Sequence, residues 1–197
     1  MIKLDIGCGK NKTKSNDQFP FLGVDIMPFE GVDLVCDLSK DIWIFDQKYK
    51  DSVPDEFRVS AGDSWTLKEN SVDEVFCSHF IEHLDGTERI LFFNELFKVM
   101  KPGAKALIIA PDWSHCCSYG DPTHKYPPIS VFFALYLNKA WRDANAAHVG
   151  YTCDFDWMHG ASWDEWLNTR SQEVKEFAMQ RYVNSARDIH ITLSKRV

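Results

Sequence analysis

The chain has 197 residues, a net charge of −7 and a pI near 5.5. This length suits one α/β domain that buries a sizeable core without disulfides or metals, and the acidic charge argues against a broad surface for nucleic acid. No basic leader and no apolar run of about 18 residues occur, so neither export nor membrane spanning is expected. The six cysteines form no C-x-x-C pair and are predicted to be reduced in a cytoplasmic protein.

A strand followed by a glycine turn is predicted at residues 2–9. The apolar residues of this strand are Ile2, Leu4 and Ile6. Gly7 and Gly9 then let the backbone turn tightly and come close to a ligand, which a Cβ would hinder. A helix after the turn would direct its free N–H groups at that ligand. Residues 10–16 are polar and basic without a clear helical period, so a loop and a single helical turn are both open there.

Acidic residues at strand ends are the candidates for nucleoside contacts. The predicted second strand, residues 21–24, ends in Asp25, 18 residues after the first glycine of the turn. Nucleotide-binding folds place an acid there that accepts hydrogen bonds from ribose hydroxyls. Asp37 follows the predicted third strand, residues 32–36, and suits either the exocyclic amine of adenine or a turn or helix N-cap. Asp63 is a second candidate for the adenine contact.

Residues 39–62 mix aromatic and charged side chains without a sustained period, so we predict an insertion with irregular structure and assign it no function. The next predicted strand, residues 72–77, leads into Ser78 and His79. We predict that these two residues lie on a strand-to-helix turn at the carboxyl edge of the sheet, where open α/β sheets bind ligands.

The predicted helix over residues 87–100 is apolar with one polar stripe, as expected for a helix that packs on a sheet. A Lys-Pro-Gly-Ala segment ends it, and the continuous apolar run at residues 106–110 suits a buried parallel strand. The order of strand, turn, three strands, helix and strand predicts a parallel α/β sheet.

Two sets of residues suggest a metal, and we predict no metal site from either. His79, Glu82 and His83 match the inverted zinc-hydrolase motif, in which two histidines share one helix face. This alternative needs a helix around His79, whereas a strand ends directly before it. Simple capping or packing by these histidines is also open. The second set is His115, Cys116, Cys117 and His124, whose adjacent cysteines lack the usual ligand spacing.

In this order the motifs resemble the Rossmann-like S-adenosylmethionine-dependent methyltransferases, in particular the type 11-like group, over roughly residues 2–112. The motifs are Leu4-Asp5-Ile6-Gly7-Cys8-Gly9, Gly23-Val24-Asp25, Asn70-Ser71-Val72-Asp73-Glu74-Val75, Ser78-His79-x-x-Glu82-His83-Leu84 and Met100-Lys101-Pro102-Gly103. The resemblance implies a three-layer α/β sandwich with a mostly parallel Rossmann-like sheet. It also implies an antiparallel C-terminal strand, which residues 187–193 suit, and S-adenosylmethionine as cofactor.

The resemblance assigns the cofactor contacts. Asp5, Gly7 and Gly9 would surround the methionine part, Asp25 with Ile26 beside it the ribose, Asp37 or Asp63 the adenine, and Ser78 and His79 the sulfonium. Lys10 replaces a third glycine, which matters most for closing a helix on a pyrophosphate, so a methyl donor is favoured over NAD. The chain begins at the motif strand, so cover for the cofactor is expected from the insertion, a later segment or a second subunit in a homodimer.

The candidate catalytic residues are Asp112, Asp121 and His124, and the substrate-side segment is predicted at residues 113–160. An aspartate with a histidine nearby can orient a hydroxyl group and take its proton during methyl transfer. Asp121 stands in an Asp-Pro pair, which also suits a turn.

The remaining elements are predicted from spacing. Residues 130–147 are predicted to form a buried helix whose aromatic residues also suit the wall of a substrate pocket, and residues 150–163 the sixth strand. Apolar residues then recur at helical spacing and are predicted to be core. They are Trp163, Trp166, Leu167, Val174, Phe177 and Ala178.

The whole chain, residues 1–197, is therefore predicted to be a single-domain methyltransferase. It is expected to use S-adenosylmethionine to methylate a small-molecule or glycan acceptor, with an oxygen atom favoured over a carbon atom as the target. The glycan is expected by resemblance only. The alternatives are a non-catalytic nucleoside-binding module, a nucleic-acid methyltransferase, which the acidic charge disfavours, the zinc hydrolase described above, and an NAD-linked oxidoreductase, which fits the basic loop less well.

Overall fold

A computed structural model describes residues 1–13, 19–40 and 42–197. Its strands are β1 Lys3–Ile6, β2 Phe21–Asp25, β3 Leu34–Val35, β4 Ile44–Asp46, β5 Arg58–Ala61, β6 Ser64–Leu67, β7 Val72–Ser78, β8 Met100–Pro111, β9 Phe155–Trp163 and β10 Ala186–Lys195. Its α-helices are α1 Gly86–Val99, α2 Cys117–Gly120, α3 Lys139–Asn145 and α4 Gln172–Arg181. Short 3-10 helices cover Gln47–Ser52, Asp55–Phe57, Ile81–His83, Val131–Leu137 and Glu165–Leu167. The strands form two sheets.

The larger sheet has seven strands in the order β3-β2-β1-β7-β8-β10-β9. Its first five strands run parallel to one another. All four residues of β1 are buried, since an inner parallel strand is covered on both faces. Because the carboxyl ends of parallel strands meet at one edge, the residues that follow β1, β2, β3 and β7 lie along the same edge of the sheet.

The last strand in the sequence lies inside the sheet. β10 pairs antiparallel with both β8 and β9, and β9 forms the edge. The antiparallel strand predicted at residues 187–193 is confirmed, and β9 lies within the sixth strand predicted at residues 150–163. The predicted fold class, an α/β fold with a mostly parallel sheet and an antiparallel C-terminal strand, is confirmed.

The smaller sheet corrects one prediction. Residues 39–62 do not form only irregular structure, because β4 and β5 both pair antiparallel with β6. Trp43, Phe45 and Trp65 are fully buried, and the rings of Phe45 and Trp65 stack with centroids 4.6 Å apart. The strands have only three or four residues, which is too short to produce a sustained alternation in the sequence.

Helix α1 confirms the helix predicted at residues 87–100, and a capping box begins it. Oδ1 of Asp85 accepts hydrogen bonds from the backbone N–H groups of Thr87 and Glu88, and Oε2 of Glu88 accepts one from the N–H of Asp85. The strand predicted at residues 106–110 is the inner part of the longer strand β8.

The second half of the chain departs from two predictions. The single helix predicted at residues 130–147 is a 3-10 segment followed by α3, because Asn138 caps a new helix by accepting a hydrogen bond from the N–H of Trp141. Leu167 and Ala178 are core residues as predicted, but three other predicted core residues are exposed. They are Trp166, Val174 and Phe177. Helix α4 buries only one residue, so helical spacing alone overestimated its apolar face.

All six cysteines are free thiols. Burial raises the pKa of Cys8, Cys36 and Cys153 to about 12, so these three are structural residues rather than nucleophiles. No helix within residues 1–13, 19–40 and 42–197 is long and apolar enough to cross a membrane.

Candidate functional site

The glycine turn follows β1 at the carboxyl edge of the larger sheet. Gly7 and Gly9 have φ angles of 66° and 53°, in the left-handed region that favours glycine. A Cβ on Gly7 would lie 2.6 Å from the Cβ of Phe80, so packing alone requires glycine there. A Cβ on Gly9 would meet no atom of the described residues within 4 Å. Open space therefore borders Gly9, where a ligand can approach the backbone.

Asp25 joins this turn to the end of β2. Its Oδ2 accepts a hydrogen bond from the N–H of Gly9 at 3.0 Å, and its Oδ1 accepts one from the N–H of Met27 at 2.9 Å. A carboxylate has about four lone-pair sites, so each oxygen can accept a further bond from a ribose hydroxyl. Ile26, next to Asp25, is 59% exposed and offers an apolar side chain beside the same edge.

Asp5 forms a hydrogen bond with the loop that follows Gly9. Its Oδ2 accepts a hydrogen bond from the N–H of Thr13 at 2.5 Å, and burial raises the pKa of its carboxyl. A direct contact between Asp5 and the methionine part stays a prediction. No helix begins within residues 7–13, and residues 14–18 of the predicted connection lie outside the described residues.

The two adenine candidates occupy different sheets. Asp37 follows β3 and forms the turn that the sequence left open, with its Oδ1 accepting hydrogen bonds from the N–H and the hydroxyl of Ser39. Asp37 lies at the same edge of the sheet as Asp25, and its turn uses only Oδ1, so a contact with a ligand remains compatible with this turn. Asp63 lies in the exposed hairpin turn between β5 and β6 of the smaller sheet. The geometry favours Asp37.

Ser78 ends β7, and His79 follows it with a strained φ of 54°. Both therefore lie at the carboxyl edge of the sheet, as predicted. Nδ1 of His79 is 3.3 Å from Oε1 of Glu82, and Nε2 is 3.8 Å from Oδ1 of Asp188. The contact with Glu82 raises the pKa of His79.

The zinc-hydrolase alternative lacks the helix it needs. Only Ile81–His83 form a helical turn here, and it is of the 3-10 type, so His79 and His83 do not share the face of one α-helix. His83 turns instead towards a later loop. Its Nδ1 is 3.0 Å from Oγ1 of Thr123, and its ring packs edge-on against that of His124, with centroids 4.9 Å apart.

The three catalytic candidates differ in position. His124 and Asp121 line a cavity of about 530 Å³ together with His79 and Asp188. Asp112 is buried and lines another cavity, with its Oδ1 bound by the N–H and hydroxyl of the residue two positions on. The structure thus brings His79, Asp121 and His124 together and leaves Asp112 apart.

Two residues of this region were missed by the sequence analysis. Asp188 reaches the cavity because β10 pairs beside β8, and nothing in the local sequence indicates that pairing. His83 had been considered with His79 only, although its contacts are with Thr123 and His124. The paired Glu82-His83 motif was the available signal.

A second cavity, of about 650 Å³, has an aromatic wall. Trp113, Phe132, His159 and Trp163 are among the residues that line it, and Phe132 is 71% exposed. The predicted substrate-side segment, residues 113–160, contributes to both cavities.

Three features of the carboxyl edge of the sheet suit the binding of S-adenosylmethionine. Space is open beside Gly9, Asp25 has lone pairs left for two hydroxyl groups, and the apolar side chain of Ile26 stands exposed beside them. Lys10, in place of a third glycine, leaves no pyrophosphate cradle, which a methyl donor does not need.

Comparison with known proteins agrees with this reading. The sequence profile of the methyltransferase domain, type 11, matches residues 4–108. Phosphoethanolamine N-methyltransferase 2 of Caenorhabditis elegans is 25% identical over 150 residues, which are 75% of this chain and 31% of that protein. The chain therefore spans less than a third of that relative's length.

Solved structures share the fold. A S-adenosylmethionine-dependent methyltransferase from Archaeoglobus fulgidus matches with a TM-score of 0.62 and 22% identity, covering 98% of this chain and 85% of that one. Phosphoethanolamine N-methyltransferase 2 of Haemonchus contortus, in complex with S-adenosyl-L-methionine, matches with a TM-score of 0.50 and 16% identity, covering 99% and 48%.

The sheet order, the glycine turn and the acid at the end of β2 are those of the Rossmann-like class of α/β proteins. The family profile covers more than half of the residues. The chain accordingly belongs to the methyltransferase domain family.

Proposed function

We propose that this chain is an S-adenosylmethionine-dependent methyltransferase that acts on a hydroxyl oxygen of a small-molecule or glycan acceptor. The observation that carries the proposal is the cavity of about 530 Å³ beside His79, at the same sheet edge as Gly9 and Asp25. A cavity of this size holds a small molecule or one end of a chain. S-adenosylmethionine, when bound, supplies a methyl group on a sulfonium sulfur that departs as a neutral thioether.

His124 is the residue that we place beside the acceptor hydroxyl. Its Nδ1 lies 3.1 Å from the carbonyl oxygen of Ser118, so Nδ1 carries the proton and Nε2 carries a lone pair. Such a lone pair can take the proton of a hydroxyl group. Oδ2 of Asp121 lies 4.0 Å from Nε2, where its negative charge favours the imidazolium that forms when the ring takes the proton. Asp112 is a weaker proposal because it lines the other cavity.

The nature of the acceptor is supported less directly. In the other cavity, of about 650 Å³, aromatic faces such as those of Trp113 and Trp163 suit stacking on a sugar ring, which supports a glycan long enough to contact both cavities. The phosphoethanolamine N-methyltransferases among the relatives make an amine the competing acceptor. The net charge of −7 supports neither a long nucleic acid nor a broad anionic partner.

The first experiment is calorimetric titration of the protein with S-adenosylhomocysteine, with NAD and adenosine as controls. We expect micromolar affinity that Asp25→Ala weakens by about 10- to 100-fold, because hydrogen bonds to two ribose hydroxyls are lost. Asp143→Ala removes an exposed carboxylate on α3 and should leave the affinity unchanged. No binding at millimolar ligand would refute the assignment of the nucleoside site.

Transfer is then measured with an isotope-labelled methyl donor and a panel of saccharides, small alcohols, phosphoethanolamine and oligonucleotides. We expect label on a hydroxyl oxygen, and a loss of turnover of about 100-fold or more in His124→Ala with unchanged affinity for S-adenosylhomocysteine. Label on nitrogen alone would refute oxygen as the target. Ligand binding without transfer to any acceptor would favour the non-catalytic module.

A further inference from the structure

Glu82, His83 and His124 bring their candidate ligand atoms within 4.8 Å of one another. Glu82 is only 4% exposed, and neither of its carboxylate oxygens has a hydrogen-bond partner among the described residues. Nδ1 of His79 lies 3.3 Å from Oε1 but without the geometry of a hydrogen bond. A buried carboxylate without hydrogen bonds is costly, so a cation bound at Glu82 would stabilise it beyond what the contact with His79 provides.

Hydrogen bonds set the tautomer of both histidines. Nδ1 of His124 faces a carbonyl oxygen and must donate, as described above. Thr123 gives its single hydroxyl proton to Oδ1 of Asp121 at 2.6 Å, so the contact of 3.0 Å between its Oγ1 and Nδ1 of His83 requires His83 to donate. Both rings therefore keep a lone pair on Nε2, the state in which neutral histidine binds metals.

The two segments that carry these residues are tied together. The N–H of Lys125 donates to the carbonyl oxygen of Glu82 at 2.8 Å. The buried guanidinium of Arg89 donates to the carbonyl oxygens of Ile81, Pro127 and Lys125, at 2.9, 2.5 and 3.4 Å. Ligands held by such second contacts are fixed before a cation arrives.

We propose that Glu82, His83 and His124 form a binding site for one divalent transition-metal ion of the Zn²⁺ type. Two imidazoles and one carboxylate are a donor set that suits such ions, and three protein ligands leave coordination positions open. His124 also lines the cavity assigned to the acceptor, so the proposed site borders that cavity.

The effect of this metal ion on methyl transfer rests on the proposed function. A cation beside the acceptor cavity lowers the pKa of a hydroxyl that binds to it. Because Nε2 of His124 has one lone pair, His124 is then a ligand of the cation, and the hydroxyl proton passes to water instead of to the ring. The metal site itself does not depend on methyl transfer.

A second cluster, His115, Cys116 and Cys117, carries no comparable argument. Both cysteines are exposed, and Nδ1 of His115 already accepts a hydrogen bond from the N–H of Cys117. It must nevertheless be controlled for, because thiols bind the same ions.

The test is titration of the chelator-treated protein with Zn²⁺ by calorimetry and with Co²⁺ by visible absorption, without cofactor or acceptor. We expect one ion per chain, and an affinity that falls at least about 10- to 100-fold in His83→Ala and in Glu82→Gln. The exposed His148→Ala and the double variant Cys116→Ser/Cys117→Ser should bind like the wild type. Glu82→Gln removes a buried charge at constant shape, so it keeps the test valid if His83→Ala unfolds.

Binding that survives in both His83→Ala and Glu82→Gln would overturn the proposal, as would binding that the cysteine variant abolishes. Absence of stoichiometric binding in the wild type would overturn it as well. These outcomes are independent of the titration with S-adenosylhomocysteine, so failure of the metal site and failure of the proposed function are distinguished.

Discussion

Gly7 and Gly9 are two residues apart and are glycines for different reasons. Gly7 has φ of 66° and no room for a side chain beside Phe80, whereas Gly9 has φ of 53° and open space. Gly9→Ala should therefore lower the free energy of unfolding by only about 1 kcal/mol, because of its left-handed backbone conformation. It should also weaken the binding of S-adenosylhomocysteine, because the added Cβ occupies the space through which a ligand approaches the backbone. Gly7→Ala adds steric overlap and should cost about 2 to 4 kcal/mol.

Urea unfolding and calorimetry measure the two effects separately. Gly160→Ala in β9 is the matched control, since its Cβ would also meet nothing and its φ is not positive. Wild-type affinity in Gly9→Ala would show that no ligand approaches this backbone.

Four aspartates at or just after the ends of strands or helices show that residue type alone does not decide which groups an aspartate contacts. Asp37, Asp112 and Asp121 each accept hydrogen bonds from the N–H and hydroxyl of a serine or threonine two positions later. The Asp-x-Ser/Thr pattern is visible in the sequence, but turns were predicted only at Asp37 and, from its Asp-Pro pair, at Asp121. Asp25 has no such hydroxyl partner. It accepts a hydrogen bond from the N–H of Met27, two positions later, and a second one from the N–H of Gly9, 16 residues earlier, in the turn that follows the neighbouring strand.

At the scale of elements, two buried arginines join helices to loops. Arg89 of α1 is 2% exposed and donates to three carbonyls beside the proposed metal site, while Arg142 of α3 is 4% exposed and donates to the carbonyl oxygens of Tyr136 and Cys153. Burial lowers the pKa of Arg89 to about 10, so it stays protonated at neutral pH. The two residues form a natural pair for comparison.

We expect Arg89→Met and Arg142→Met each to lower the free energy of unfolding by about 3 kcal/mol, because buried carbonyls lose their donors. Only Arg89→Met should also weaken Zn²⁺ binding, since it unties the segments that hold Glu82 and His124. Chemical unfolding and metal titration of both variants check this. Equal metal affinity in the two variants would show that Arg89 does not position the ligands.

At the scale of the whole molecule, contacts distant in sequence close the sheet. Nζ of Lys195, near the end of β10, donates to Oδ1 of Asn70 at 2.7 Å and to the carbonyl oxygen of Met100 at 2.8 Å. Asp73 of β7 accepts hydrogen bonds from the N–H of Ile2 and from Nζ of Lys101, both at 2.7 Å. The first and last strands are thus both tied to the segments around β7.

Asp73 makes stability depend on pH. Burial raises the pKa of its carboxyl, but the hydrogen bonds from Lys101 and Ile2 and the charge of Lys101 outweigh this and hold the pKa below its ordinary value. A lowered pKa stabilises the fold above the value in the unfolded chain, about 3.9, and this contribution is lost as pH falls through the folded value. Asp73→Asn should therefore lower the urea midpoint at about pH 7 and differ less from the wild type below about pH 4.

Urea midpoints of both proteins across this pH range check the prediction. Asp143→Asn, on the exposed surface of α3, is the control and should follow the wild type at every pH. A difference between Asp73→Asn and the wild type that stays constant with pH would contradict the assignment.

The sequence alone determined the core of the fold and of the cofactor edge. Strand β1, the glycine turn and the spacing to Asp25 depend on local periodicity and on residues with special backbone freedom, which are visible in one dimension. The antiparallel direction of the last strand was predicted from the resemblance to a family. Strands of three or four residues in β4 to β6 were too short for that signal.

Only the tertiary structure decided which residues meet at the acceptor side. His83 and His124 belong to different loops, and Asp188 arrives on a strand that pairs beside β8. Their meeting depends on the order of strands in the sheet and on the carbonyl contacts of Arg89, and neither leaves a periodic trace in the chain. Local patterns therefore predicted the glycine turn and the acid at the end of β2, while long-range packing determined the surroundings of His124.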